Sequence, residues 1–198
     1  MKESIIDFSS GKNTYRRLQG GGMGQPIAKA LGIKKYPIPP TILDATAGLL
    51  QDSFVLACLG CTVIAIERHQ KIAAHLKAAL EHARHDPELA PIVERITLIQ
   101  GDALQLLPSL TATHNIDIIY LDPMFPHRTK SALVKKELRW LREHVGDDLD
   151  ADALLTCAQP LAPKIVVKRP KVAPVLAGIK PTRQWIGERN RFDIYHKV

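Results

Sequence analysis

Cysteine, long apolar runs and internal repeats are all scarce or missing in this sequence, and each lack excludes something. Three cysteines, an odd number, are too few for a disulfide framework and point to a reducing compartment, with the cytoplasm as the expected location. Cys58-x-x-Cys61 has no second pair and Cys157 stands alone, so the three read as reduced core thiols rather than a zinc or redox site. No apolar run approaches the ~20 residues that a membrane span needs. The first residues, Met1-Lys2-Glu3-Ser4, carry an early acid and no apolar core, unlike a secretory signal. Neither a G-x-G-x-x-G fingerprint nor a phosphate-loop Lys-Ser/Thr follows the first apolar strand. The eight histidines show no H-E-x-x-H or other ligand spacing, so no metal is expected. Only His127 stands out among them, because it adjoins the acidic motif described below.

What remains is an ordinary composition for a folded chain of 198 residues, 45% hydrophobic and 24% charged. That length is enough for one full core. The net charge of +7 is unevenly spread. Residues 1–40 carry 7 basic and 2 acidic side chains, residues 124–142 carry 6 and 1, and residues 161–198 carry 9 and 2. Between them, residues 41–123 carry 5 basic and 10 acidic side chains, and residues 143–160 carry 5 acidic and no basic ones. If the basic blocks meet on one face they form a polyanion footprint; if not, they are separate solvated surfaces.

The middle of the chain alternates between strand and helix periods. Thr41–Asp44 is a short apolar strand, followed by small residues and a helix over Asp52–Leu59 that Gly60 ends. Thr62–Glu67 is a β-branched strand, and Ile72, Leu76, Ala79, Leu80 and Ala83 mark an amphipathic helix. Further strands are expected over Arg95–Gln100, Ile116–Leu121 and Lys164–Lys168, with a hairpin of Arg183–Ile186 and Arg191–Tyr195 around Gly187. Another helix is expected over Ser131–Val145. Strands separated by helices predict βαβ units and a mostly parallel sheet. The Pro-rich Tyr36–Pro40 reads as a linker, so residues 1–40 are expected to form an arm and residues 41–198 one α/β domain. Gly20–Gly24, just after Arg16 and Arg17, fits a phosphate nest, a lid or a plain hinge.

Three successive strands end in acids: Asp44, Glu67 and, after Gly101, Asp102. In an open α/β sheet the ligand lies outside the carboxyl ends of the strands. Glu67 follows Asp44 by 23 residues, about the separation at which such folds place an acid on ribose hydroxyls. A cofactor with a ribose, a cationic centre and no pyrophosphate suits Asp44-Ala-Thr-Ala-Gly48 better than a dinucleotide does. S-adenosylmethionine meets that description.

The fourth strand ends in Asp122-Pro123-Met124-Phe125. An aspartate carboxylate and a proline carbonyl can accept both N–H groups of a nucleobase amine and leave its lone pair able to attack. A nearby aromatic ring, Phe125, can stack on the base. This is the logic of amino-group methyltransferases that carry D/N-P-P-F/Y, with Met124 at the usual second proline.

These residues resemble the bacterial small-subunit rRNA methyltransferase J family. The likeness is carried by Asp44-Ala-Thr-Ala-Gly-Leu49, Leu121-Asp-Pro-Met-Phe-Pro-His127, Lys130-Ser-Ala-Leu-Val-Lys-Lys-Glu137 and Val166-Val-Lys-Arg-Pro170, and it runs on to Arg191-Phe-Asp-Ile-Tyr195. The resemblance implies a class I, Rossmann-like methyltransferase fold with a seven-stranded, mostly parallel sheet. It also implies S-adenosylmethionine as cofactor and methylation of guanine N2 near the 3′ end of 16S rRNA, free or in the small ribosomal subunit. Asp44, Gly48, Gln51, Asp52, Glu67, Arg68, Asp102, Ala103 and Asp122 would meet the cofactor. Asp122, Pro123 and Phe125 would hold the base. His127, Arg128, Lys130, Lys135, Lys136, Lys168 and Arg169 would meet RNA. The family reads Gly-Leu-Gly-Arg-Asp where this chain has Gly48-Leu-Leu-Gln-Asp52, and typical members carry a further segment before the region matching Ile5–Phe8. An adenine-N6 or protein-glutamine methyltransferase, or a non-catalytic RNA-binding module, would share part of this pattern.

Overall fold

The computed structural model describes Phe8 and residues 22–123, 150–188 and 190–197. Seven strands form one sheet there: β1 (Thr41–Asp44), β2 (Thr62–Glu67), β3 (Ile96–Gln100), β4 (Ile118–Leu121), β5 (Lys164–Pro170), β6 (Arg183–Ile186) and β7 (Asn190–His196). Their order is β3-β2-β1-β4-β5-β7-β6. The first five in that order are parallel, and β7 and β6 close the edge in antiparallel fashion. The expected mixed sheet is therefore present, with the C-terminal hairpin turning where Gly187 N donates to Asn190 O at 2.8 Å.

Central strands in such a sheet are covered on both faces, so they read as continuous apolar runs. All four residues of β4 are buried, as are five of the six in β2. Alternate residues feed two cores. Ile42, Val63, Ala65, Ile118, Tyr120, Val166 and Ile194 point into one, under helices α1 (Pro26–Leu31), α2 (Gln51–Cys58) and α3 (Gln70–Arg84). Leu43, Ile64, Ile66, Ile119, Leu121, Ile165, Val167 and Tyr195 point into the other. That second core is covered by α5 (Ala103–Thr113) and α6 (Ala151–Ala158). A single turn, α4 (Ala90–Val93), leads into β3. Ile27, Leu31 and Ile33, from the segment before the proline-rich stretch, are buried in the first core.

Helix α5 was hidden in the sequence by Pro108, which sits inside it. Asp102 starts this helix: its Oδ1 accepts from Leu104 N at 2.8 Å. The expected helix over Ser131–Val145 lies outside the described residues.

The far side of the sheet carries a buried ionic cluster that fixes the end of β5. Arg191 donates from Nε to Asp193 Oδ1 at 2.9 Å and from Nη2 to Oδ2 at 3.0 Å. Its Nη1 reaches the carbonyls of Lys171 at 3.0 Å and Ala173 at 2.5 Å, while Arg169 Nη2 donates to Pro174 O at 2.6 Å. Two arginines thus clamp the backbone that leaves β5. Both are buried, at 4% and 7% exposure, around the fully buried Asp193. Asp193→Ala leaves these guanidinium groups without their carboxylate, and we expect a loss of about 3–5 kcal/mol in urea unfolding. A loss under ~1 kcal/mol would mean that water replaces the carboxylate.

Candidate functional site

Strands β2 and β4 lie on opposite sides of β1, so the chain switches direction at the carboxyl ends of β1 and β4, where a doubly wound sheet opens a crevice. Register brings Asp44 beside Tyr120, with Asp122 just past the end of β4. The acids of separate strands therefore share one edge.

Asp44 is buried. Its Oδ2 accepts from Ser53 Oγ at 2.5 Å and its Oδ1 from Thr46 N at 3.1 Å. Burial pushes its carboxyl up to about 7; the bonds from Ser53 and Thr46 pull back, and Asp52 and Asp122 push the same way as burial. Thr46 then turns its hydroxyl oxygen to accept from Asp122 N at 2.6 Å, joining the β1 loop to the end of β4.

Asp52 stands in the first turn of α2. Its Oδ2 accepts from Tyr120 Oη at 2.7 Å and from Lys168 Nζ at 2.6 Å. The same ammonium donates to Asp122 Oδ2 at 2.7 Å. Burial works against the charge of Lys168, but Asp52 and Asp122 outweigh it and raise its pKa. Tyr120 is fully buried, and burial together with Asp52 and Asp122 raises its phenol far above the usual range. One hydrogen-bonded chain thus links Asp44, Thr46, Asp122, Lys168, Asp52 and Tyr120.

The loop between β1 and α2 has two left-handed residues, Gly48 at φ +53° and Leu50 at φ +56°. Leu50 stands where the resembled family has glycine, the residue that adopts this region without strain. A leucine there costs roughly 1–2 kcal/mol of backbone energy. Its side chain is fully buried, which offsets about that much. Gln51 opens α2, half-buried beside Asp52.

Glu67, at the end of β2, is 6% exposed, and its Oε1 accepts from His69 N at 2.7 Å. Next to it, Arg68 pairs with Asp150 at 3.0 Å on the surface. Asp102 is half-buried and Ala103 buried at the head of α5. Pro123 is buried beside the half-buried Asp122. Phe125, His127, Arg128, Lys130, Lys135 and Lys136 lie outside the described residues.

Two residues expected to meet RNA, Lys168 and Arg169, stand on opposite faces of β5. Lys168 is engaged by two carboxylates inside the crevice, so its charge is already matched there. Arg169 is 4% exposed on the opposite face of β5 and donates to the Pro174 carbonyl. Thr46, Ser53 and Tyr120 were missed by sequence reasoning. Tyr120 is the single polar-tipped side chain in the apolar run of β4, which was the one available signal.

Two carboxylates, one ammonium and a third carboxyl that titrates near neutrality leave the crevice anionic. A ligand with a sulfonium and an ammonium against one carboxylate fits that excess, and the acids at β2 and β3 suit ribose and adenine donors. Among the described residues no cluster of three or more His, Cys, Asp or Glu is arranged to hold a metal ion.

The Asp44 environment has a consequence for stability. Its folded pKa of about 7 lies above the unfolded value, so the native state holds a proton that the unfolded chain has lost. Stability contributed by that proton is complete at acid pH and disappears as pH rises through about 7. Asp44→Asn should therefore gain on the wild type between pH 4.5 and pH 8, by something on the order of 3 kcal/mol in urea unfolding. Parallel pH dependence of the two proteins would show that the carboxyl titrates normally.

Comparisons with known proteins agree with this architecture. The family model for SAM-dependent methyltransferases matches residues 1–197. Ribosomal RNA small subunit methyltransferase J of Dechloromonas aromatica is 54% identical over 193 residues, covering 97% of this chain and 78% of that protein. The enzyme of the same name from Pseudomonas paraeruginosa is 53% identical over 193 residues, 97% of this chain and 73% of its own. The crystal structure of a SAM-dependent methyltransferase from Neisseria gonorrhoeae superposes with a TM-score of 0.70 at 38% identity, covering 87% of this chain and 70% of that one. At 17% identity and a TM-score of 0.51, the rRNA methyltransferase aviRa from Streptomyces viridochromogenes shares the fold. By sequence match over nearly its whole length, this chain belongs to the ribosomal RNA small subunit methyltransferase J family.

Proposed function

We propose that this protein methylates the exocyclic N2 of a guanine near the 3′ end of 16S rRNA, in the cytoplasm, on free rRNA or the small subunit. The observation that carries the reading is the Asp122-Pro123 pair at the end of β4, bonded through Thr46 and Lys168 to the acids of β1 and α2. The family membership supports the same chemistry.

S-adenosylmethionine, when bound, supplies an electrophilic methyl group whose carbon–sulfur bond breaks with its electrons passing to sulfur. The chain's own residues do the rest. Asp44 and the Gly48–Asp52 loop receive the methionine end, Glu67 with Arg68 the ribose, and Asp102 with Ala103 the adenine. The Asp122 carboxylate and the Pro123 carbonyl accept the two N–H groups of the guanine amine, so that its lone pair points at the methyl carbon. Phe125 stacks on the base. After the N–C bond forms, the surplus proton on nitrogen passes to the Asp122 carboxylate and on to water. His127, Arg128, Lys130, Lys135 and Lys136 meet the flanking phosphates.

Mass spectrometry of nucleosides from rRNA incubated with the protein and S-adenosylmethionine should reveal N2-methylguanosine. Methylated adenosine instead would reassign the substrate. Asp122→Ala should abolish the product mainly through turnover, and normal turnover by that variant would leave the motif as a strand-ending turn. Glu67→Ala should weaken S-adenosylmethionine binding about ten- to a hundredfold in calorimetry, as expected for losing a charged acceptor. Unchanged affinity in the folded variant would remove Glu67 from the ribose site.

A further inference from the structure

Lys168 lies on β5, two strands from β1, yet its ammonium ends between a carboxylate of α2 and the carboxylate that follows β4. Among the described residues, two carboxylates from different elements bind this charge directly, and further groups stand behind them. Helix α2 contributes Asp52, and β4 contributes Tyr120, through Asp52, and Asp122. Behind Asp122 stands the β1 loop, where Thr46 Oγ1 accepts from Asp122 N and Asp44 Oδ1 accepts from Thr46 N. From β7 the register partner is the apolar Phe192. The basic neighbours Arg169 and Arg191 belong to the opposite face, where Arg191 binds Asp193. Lys168 is therefore the cation at which the cofactor side and the substrate side of the crevice meet.

We propose that Lys168 is a positioning residue: by bridging Asp52 and Asp122 it holds the Asp122 carboxylate ionised and turned toward the incoming guanine amine. This inference rests on the proposed methyl transfer, and it gives Lys168 a role other than neutralising a phosphate. The physical case is the pairing itself. Asp52 and Asp122 repel one another, and Asp44 stands close enough to feel both. Without a cation between them the cheapest relief is to protonate one or to rotate it away. Asp122 can accept an N–H bond as a carboxylate; once protonated, it loses part of that capacity. A lysine suits this place because its ammonium offers three donors on a stem long enough to reach from β5.

The test compares the full-length wild type with Lys168→Met and Lys168→Arg. Single-turnover methyl transfer is followed against pH with cofactor and RNA saturating. In parallel, carboxyl-carbon resonances of the cofactor-free protein are titrated. Lys168→Met should slow transfer at neutral pH about ten- to a hundredfold. Its acid limb should move up by about one to three pH units, because the ion that favoured the carboxylate is gone. The aspartate titrations in the cofactor-free protein should move the same way. Lys168→Arg restores the charge with a different shape, so its acid limb should return while its rate recovers in part. If Lys168→Met does not fold cooperatively, Lys168→Gln carries the same comparison.

Unmoved carboxyl titrations in the folded variant would overturn the proposal, and so would an unchanged acid limb. A normal rate at saturation, with the slope of log K against log salt for RNA reduced by about 0.7, would return Lys168 to phosphate binding. Should the wild type transfer no methyl to guanine, the proposed function fails on its own, and the carboxyl titrations still decide the bridge.

Discussion

The repulsion among Asp44, Asp52 and Asp122 is the constraint around which the rest of the site is arranged. Three carboxylates at one switch point are costly unless each is neutralised, bridged or hydrogen-bonded. The structure uses all three remedies. Asp44 is buried and drifts toward its protonated form while Ser53 and Thr46 hold it. Asp52 and Asp122 share the ammonium of Lys168. Tyr120 donates to Asp52 from inside the core. What results is a crevice whose carboxylates are each hydrogen-bonded or bridged and whose net charge stays negative, which suits a cationic ligand.

The scaffold beneath that crevice is rigid for identifiable reasons. β1 and β4 are buried on both faces and hydrogen-bonded on both edges, so their carboxyl ends have little freedom. On β5, successive residues serve opposite faces: Lys168 enters the site, while Arg169 joins Arg191 and Asp193 below the sheet. The arginine clamp on the carbonyls of residues 171, 173 and 174 fixes where β5 ends. An error there would displace the ammonium that both carboxylates require. Site and buried cluster are thus coupled through one pleat of one strand.

The sequence alone determined the seven strands from residue 41 onward, helices α2 and α3, the acids at strand ends and the Asp122-Pro123 motif, because hydrophobic period and chain position are local properties. It also carried the family resemblance, since those motifs are contiguous. It did not reveal helix α5, whose internal Pro108 reads as a breaker, nor the left-handed backbone at Leu50, where the residue type argues against the conformation it adopts. Only the tertiary structure decided which charges meet. Asp52 and Tyr120 are 68 residues apart and Asp52 and Lys168 are 116 apart, so no local pattern relates them. Lys168 and Arg169 read as one basic pair in the chain, yet the period of two in a strand sends one into the crevice and the other beneath the sheet. Which side of a strand a charge faces, and what stands opposite it, is fixed by packing over the whole sheet.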